Sequence, residues 1–454
     1  MTQVGEVVGE VAVDPARGRV YAEGWQSWSP ATWYPVTARP RLPEHEWQHL
    51  MRFRPGTAVD PDALQGEGLL VVDPGTGAPA HCYRGATGGH DVPTLRAHLE
   101  HDRVVVRAST ADVTTTEHDD GGEAALAAYG DELAATRGPL PRAAPPTVWC
   151  SWYRYFEEVT ADDVRDNLHA IGVHDLPVDV VQVDDGWSAG LGEGLLPSER
   201  FGSLDGLVDE IRATGRRAGL WAAPFLVGVE TTLAREHPDW LVGPAGRNWG
   251  QELAGLDLTH PGVQELLVDV LGRLTAIGID YLKLDFLYGG AVPGRRHDDV
   301  DGATAYRRGL ELVRNAVGPD VHLVGCGAPL LPSVGLVDAM RVSPDTFHEG
   351  GEDGSTGLRG LMPMAARAWQ HGRLWVNDPD CVVARPTYAH RERWAALAGD
   401  YGGLRSFSDR VDELDDRGLA IVRRLLADTD DAGAPFPLER IRSGAEVAQR
   451  EVAG

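Results

Sequence analysis

The sequence predicts an α/β protein, a (β/α)8 TIM barrel with a small N-terminal all-β, sandwich-like domain. Strand and helix patterns alternate over about 280 residues, as a parallel barrel requires. Short β-branched runs between Gly, Pro and Asp turns precede them. A doubly wound sheet is the alternative, but no Gly-rich phosphate loop follows the first barrel strand. We expect four parts: a β domain over 1–120, a helix and Pro-rich linker over 121–146, the barrel over 147–428 and a tail over 429–454.

The N-terminal part is predicted from β-branched and Thr-rich runs. Leu69–Val72 and Arg103–Arg107 are short apolar strands, and Asp112–Glu117 is a third, Thr-rich one. The Ala-rich segment 122–136 indicates a helix, and the Pro-rich stretch 137–146 forms a stiff boundary.

The barrel elements are predicted from helix boundaries and from apolar strands between them. Thr160 and Asp163 resemble a capping box, Ser203 and Gly215 bound a second helix, and Pro261 opens a third. The predicted strands, in chain order, are 147–152, 178–183, 217–222, 281–285, 322–326, 339–343, 374–376 and 404–407.

Composition excludes several classes of partner. The 68 acidic and 42 basic residues give a net charge of -26, so nucleic acid and anionic membranes would be repelled. No apolar run approaches the roughly 18 residues of a membrane span, and the first residues do not resemble a secretory signal. Four Cys are too few for a disulfide framework in this length. We therefore expect a cytoplasmic protein with no nucleic-acid or membrane partner, and the sequence leaves a homo-oligomer open.

Lysine usage singles out one position. The chain has 42 basic residues, and the one Lys among them is Lys283, in an apolar strand. A compact ammonium fits a tight site where the wider Arg guanidinium cannot, so we expect Lys283 to be functional.

Carboxylates and indoles follow the predicted barrel strands. The active site of a TIM barrel lies at the carboxyl ends of its strands. A lone Asp there is more often a helix cap, but such groups at seven of eight strand ends favour a sugar-binding site. The groups are Trp152; Asp184, Asp185 and Trp187; Trp221; Lys283 and Asp285; Cys326; Arg341 and Asp345; Asp378 and Asp380.

Two other kinds of chemistry compete with sugar binding. Carboxylates of Asp184, Asp185, Asp378 and Asp380 could hold a divalent cation. The 16 His show no metal-ligand spacing, so we expect neither a metal nor another cofactor. A Schiff-base aldolase would use Lys283 as its nucleophile.

Several motifs resemble the melibiase-type α-galactosidases, glycoside hydrolase family 36 of clan D. Six of them occur in order on successive barrel strands. After the Cys turn the family usually has a Gly-rich stretch, whereas this chain has Ala328–Pro329. The similar segments are Gly24–Trp28 in the β domain, then Val183–Trp187, Gly219–Trp221, Tyr281–Asp285, Gly325–Gly327, Arg341–Asp345 and Asn377–Asp380.

The resemblance implies a retaining α-galactosidase that removes terminal α-galactosyl residues from small oligosaccharides by double displacement. It implies Asp285 as nucleophile, kept ionised by Lys283, and Asp345 as acid/base. Asp345 is preferred to Asp338, which precedes its strand, and to the loop residues Glu349 and Glu352. The implied substrate-binding residues are Asp184, Asp185, Trp152, Trp187, Trp221, Lys283, Cys326 and Arg341, the last facing the sugar.

Two alternatives remain open. An α-galactosyl transferase of the raffinose-synthase kind would share the covalent intermediate and differ in the acceptor. A non-catalytic sugar-binding barrel would need neither carboxylate, and both are present.

Overall fold

The structure is a computed structural model that describes residues 5–40, 46–86, 92–137, 144–191, 197–248, 250–346, 361–427 and 433–453. The candidate loop residues Glu349 and Glu352 lie outside these ranges.

Two antiparallel sheets form the N-terminal sandwich, in the strand orders β1-β8-β7-β4 and β3-β2-β5-β6-β9. The side chains of β5 point alternately to the two faces of its sheet. Leu70 and Val72 pack inside the sandwich, while Leu69 and Val71 pack on the barrel side. The elements are β1 Glu6–Ala12, β2 Arg19–Ala22, β3 Thr32–Pro35, α1 Glu46–Arg52, β4 Leu64–Glu67, β5 Leu69–Asp73, β6 Ala80–Gly85, β7 Thr94–Glu100, β8 Arg103–Ala108, β9 Val113–His118 and α2 Gly122–Arg137.

Eight parallel strands form the barrel, in the order β19-β18-β17-β16-β12-β11-β10-β20. The ring closes where the amides of Gly403 and Leu404 donate to the carbonyl of Asn377. The (β/α)8 prediction is confirmed. The strands of this half of the chain are β10 Thr147–Cys150, β11 Val180–Val183, β12 Arg217–Ala222, β13 Leu226–Gly228, β14 Leu241–Asn248, β15 Gln251–Leu256, β16 Ile279–Leu284, β17 His322–Gly325, β18 Ala339–Arg341, β19 Val376–Asp378 and β20 Arg405–Phe407.

Helices follow the strands and cover the barrel. The predicted capping box is present, because Thr160 and Asp163 exchange side-chain and backbone hydrogen bonds. The helices are α3 Trp152–Tyr155, α4 Ala161–Val173, α5 Leu204–Ala213, α6 Thr232–Glu236, α7 Pro261–Ala276, α8 Gly302–Val317, α9 Leu330–Ser333, α10 Leu361–Ala366, α11 Arg391–Tyr401, α12 Asp416–Ala427 and α13 Leu438–Ala453. No helix among the described residues is both long and apolar enough to cross a membrane.

An excursion between β12 and α7 was not predicted. Its strands β13, β15 and β14 form a small antiparallel sheet beside the barrel mouth. Leu226 and Leu253 of this sheet pack with Trp221 and Phe286, and Trp28 of the N-terminal part packs on the same cluster.

The barrel interior changes from apolar to polar along its strands. An apolar layer at the amino ends closes the barrel floor. On β16, Tyr281 belongs to that layer, while Lys283 and Asp285 follow on the same face toward the carboxyl end. The other members of the apolar layer are Val148, Val180, Val324, Ala339, Val376 and Leu404.

Arg367 joins the sandwich to the barrel. It is fully buried, and its Nε donates to Oε1 of Glu23 over 2.9 Å. Its Nη1 donates to the carbonyls of Ser27 and Val342, and its Nη2 to that of Ser29. One guanidinium therefore bonds to the segment after β2 and to the end of β18.

Replacing Glu23 with Ala should strongly destabilise the protein, because it leaves Arg367 charged and buried without its carboxylate. The expected loss is about 3–5 kcal/mol in the free energy of unfolding, measured with urea. Glu10→Ala is the control, since Glu10 forms an exposed ion pair with Arg103 and should cost at most about 1 kcal/mol. Equal losses for the two variants would contradict a clamping role for Arg367.

Candidate active site

A cavity of about 280 Å³ opens at the carboxyl ends of the barrel strands. This size is near the lower end of small-molecule sites, roughly 300–1,000 Å³. Seven of the ten predicted site residues line it: Trp152, Asp184, Asp185, Trp221, Lys283, Asp285 and Asp345. Trp28, Met51, Arg52, Asn248, Phe286 and Pro344 complete the lining.

The Lys283 ammonium lies against Asp184. Lys283 Nζ is 2.9 Å from Asp184 Oδ2, and both side chains are buried. Gln182 Nε2 donates to the same oxygen over 2.6 Å, and the Asp185 amide donates to Asp184 Oδ1. Burial is the largest influence and would lower the pKa of Lys283, but the charges of nearby acidic groups, Asp184 first among them, together outweigh it, and the pKa lies well above its ordinary value. The ammonium is therefore charged inside the cavity.

Asp285 is held by N–H donors. Trp221 Nε1 donates to Asp285 Oδ2 over 3.0 Å, and the Phe286 amide donates to Oδ1 over 2.7 Å. The ion pair of Lys283 is with Asp184 and not with Asp285. The ammonium acts on Asp285 only through space.

Arg341 faces carboxylates, which corrects its predicted orientation toward a sugar. Its Nη1 is 2.9 Å from Asp345 Oδ1, its Nη2 is 2.6 Å from Asp380 Oδ1, and its Nε is 3.3 Å from Asp378 Oδ2. The guanidinium is buried and is absent from the cavity lining. Three carboxylates within reach of one cation account for this orientation.

Trp187 and Cys326 lie behind the cavity, which corrects their predicted place in it. Trp187 is fully buried in the hydrophobic core, and its indole donates to the carbonyl of Trp221 over 2.8 Å. Cys326 is also fully buried, and its amide donates to the carbonyl of Leu284. Neither side chain lines the cavity.

Two of the cavity carboxyls have raised pKa values. Burial, reinforced by the charges of Asp184 and other acids, raises the pKa of Asp185 to about 7. Burial also raises the pKa of Asp345, although Arg341 opposes the change. The Asp345 side chain is 43% exposed, so a ligand can reach it, yet it lies deep enough among protein atoms for desolvation to raise its pKa. Asp185 can therefore carry a proton near neutral pH, and Asp345 keeps its proton to a higher pH than an ordinary Asp.

The N-terminal part supplies a wall of the cavity that the sequence did not predict. Trp28 packs edge-on against Phe286 with ring centroids 5.4 Å apart. Gln26 Nε2 donates to the carbonyl of Met51, and Ser29 Oγ donates to that of Arg52, so the end of α1 is tied to the same segment. The Trp-rich motif at Gly24–Trp28 was the available signal, but it gave no indication of contact with the barrel.

Three of the four carboxylates considered as metal ligands pair with basic side chains. Asp184 pairs with Lys283, and Asp378 and Asp380 pair with Arg341. Within the described ranges no group of three or more His, Cys, Asp or Glu could hold a metal ion.

The comparisons with known proteins point to one family. A family model described as Melibiase matches residues 140–313. The α-galactosidase of Thermus thermophilus, solved with stachyose, is 30% identical, with 91% of this chain and 90% of that chain covered and a TM-score of 0.74. The chain belongs to the melibiase-type α-galactosidases.

More distant members of this family share part of their length with the chain. α-Galactosidase C of Emericella nidulans is 29% identical over 211 residues, which are 40% of this chain and 27% of that protein. The family 36 α-galactosidase AgaA of Geobacillus stearothermophilus is 13% identical with a TM-score of 0.63, which shows the shared fold. The chain thus spans about a quarter of the length of the curated relative.

For this melibiase-type chain, stability should fall as pH rises between about 4 and 7, in part because of Asp185. Its folded pKa of about 7 exceeds the ordinary 3.8, so the folded state binds the proton more tightly in that window. Asp185→Asn should remove this part of the pH dependence in thermal unfolding midpoints. Asp209→Asn, on the exposed side of α5, should keep it. A wild-type slope in Asp185→Asn would contradict the assignment.

Proposed function

We propose that the protein is a retaining α-galactosidase that hydrolyses terminal α-galactosyl residues from oligosaccharides. The observation that carries the proposal is that Asp285 and Asp345 line the same cavity but have different local environments. Asp285 accepts two N–H donors, while burial favours the protonated form of Asp345. Two carboxyls with distinct roles are what glycoside hydrolysis requires.

In the first step an Asp285 oxygen attacks the anomeric carbon, and the bond from that carbon to the leaving oxygen breaks. Asp345 gives its proton to the leaving oxygen, so the aglycone departs as a neutral alcohol. In the second step Asp345 takes a proton from water, whose oxygen attacks the anomeric carbon and releases Asp285. Two inversions give net retention.

The other lining residues would bind the galactosyl ring. Lys283 and Asp184 would share hydroxyl groups, since an ammonium donates and a carboxylate accepts. Asp185 would add a further hydrogen bond. Trp221, Trp152 and Trp28 offer indole surface to the apolar faces of the sugar.

A panel of nitrophenyl α-glycosides tests the activity. Turnover of the α-galactoside well above that of the α-glucoside supports the proposal, while no turnover of any glycoside would favour a binding protein. Incubation with excess sucrose separates hydrolysis from transfer, because a transferase would form an α-galactosyl sucrose. A cytoplasmic location remains a prediction, and a homo-oligomer stays open.

Asp285→Ala should abolish hydrolysis, with a loss of at least about 10³-fold in kcat, because no covalent intermediate can form. The unfolding midpoint should change little. A mechanism-based galactosyl trap, read by mass spectrometry of peptides, should label Asp285 in the wild type. Labelling of another residue would refute the nucleophile assignment.

Asp345→Ala should lose far more activity on raffinose than on nitrophenyl α-galactoside, because the phenolate leaves without a proton. The difference between substrates should be about 10²-fold or more in kcat/KM. Azide should partly restore turnover of the activated substrate and give an azide sugar with retained configuration. Equal losses on both substrates, with no effect of azide, would remove Asp345 from the acid/base role.

A further inference from the structure

The segment that carries Asp345 is attached to the end of β19 on both sides of the carboxyl. Before it, Ser343 Oγ donates to the carbonyl of Pro379 over 2.9 Å. After it, Thr346 Oγ1 donates to the carbonyl of Cys381 over 2.9 Å. These two hydrogen bonds thus attach the chain on both sides of Asp345 to the end of the neighbouring strand.

Asp380 is the centre of this attachment. Its side chain is 1% exposed, and its Oδ2 accepts from the Thr346 amide over 2.7 Å and from Thr346 Oγ1 over 3.1 Å. The Tyr153 hydroxyl donates to the same oxygen. Oδ1 pairs with Arg341 Nη2 and accepts from the Cys381 amide. The contacts with Thr346 lead to the Asp345 segment, and the contact with Arg341 leads to the cation that pairs with Asp345.

The backbone of Asp380 is unusual for a residue with a side chain. Its φ is 81°, in the left-handed region that favours Gly. Such conformations persist where surrounding contacts over-determine them, and they occur at functional sites. The hydrogen bonds of Asp380 supply those contacts.

We propose that Asp380 is a positioning residue for Asp345, an inference that rests on the proposed acid/base role of Asp345. It acts in two ways. It fixes the backbone next to Asp345 through Thr346, and it holds one edge of the Arg341 guanidinium. Asp345 then receives only the Nη1 edge of that cation.

The charges around Arg341 explain why this sharing matters. Asp378 takes the Nε edge, Asp380 takes Nη2, and Asp345 takes Nη1. Without Asp380 the guanidinium would be free to turn toward Asp345 as a bidentate partner. A bidentate pair would hold Asp345 ionised, and an ionised carboxyl cannot give a proton to a leaving group.

Asp380→Asn tests the inference, because it keeps shape and tolerates the left-handed backbone while it removes the charge. It should lose about tenfold more kcat/KM on raffinose than on nitrophenyl α-galactoside. Labelling of Asp285 by the galactosyl trap should persist. Thr346→Val, which keeps the Asp380 charge and removes the two contacts of the Thr346 hydroxyl, should change the same ratio in the same direction but less.

Asp338→Asn is the matched control. Asp338 also pairs with an arginine in a buried place, 2.5 Å from Arg314 Nη2, but at the opposite end of β18. It should lower the unfolding midpoint and leave the ratio between substrates unchanged.

The outcomes separate this inference from the proposed function. If Asp345→Ala shows the leaving-group effect and the Asp380 and Thr346 variants do not, the positioning role is refuted and the acid/base assignment stands. If Asp345→Ala itself lacks the effect, the proposed acid/base role is refuted, and the positioning role that rests on it is refuted as well. If Asp380→Asn does not fold, an unchanged ratio in Thr346→Val refutes the inference.

Discussion

The buried ion pair of Arg367 and Glu23 connects the two halves of the molecule and completes the cavity. Arg367 also donates to backbone carbonyls of the Trp-rich segment and of Val342, just beyond β18. That segment carries Trp28, which forms part of the cavity wall, and β18 leads to Asp345. A buried pair of this kind contributes little net stability over an apolar one, but it fixes which surfaces meet. The sandwich is therefore part of the candidate site.

Within the cavity, carboxylates outnumber cations. Asp184, Asp185, Asp285 and Asp345 line it with Lys283 alone as the charged basic partner among the barrel residues, and Arg341 lies behind them with two further carboxylates. Not all of these acids can ionise together near neutral pH at modest cost. Burial and the charges of neighbouring acids raise the pKa of Asp185 to about 7, and burial also raises that of Asp345. Burial of carboxyls beside other acids therefore favours a protonated acid in the cavity.

The sequence predicts the barrel well because periodicity and capping act locally. The Thr160 box, the apolar strands and the residues just after them each depend on short-range rules, and all eight strands are present within a few residues. The side-chain partners were harder to predict. Lys283 pairs with Asp184, and Arg341 pairs with Asp380, which are carboxylates of other strand ends. Such pairs depend on distances in space, and the spacing of residues along the sequence does not give those distances. The wall formed by Trp28 depends on Arg367, about 340 residues away in the chain.

Ala328–Pro329 shows how a departure from the family pattern can have a structural cause. The Ser27 amide donates to the carbonyl of Ala328, and the Leu330 amide donates to the carbonyl of Trp25. The loop after the Cys turn therefore forms an edge that hydrogen-bonds to the Trp-rich segment. A Gly-rich loop is more flexible and would lose more conformational entropy when these hydrogen bonds form. The hydrogen bonds of that edge place Trp28 next to Phe286, which directly follows Asp285. The residues that differ from the family pattern therefore bear on the same cavity as those that match it.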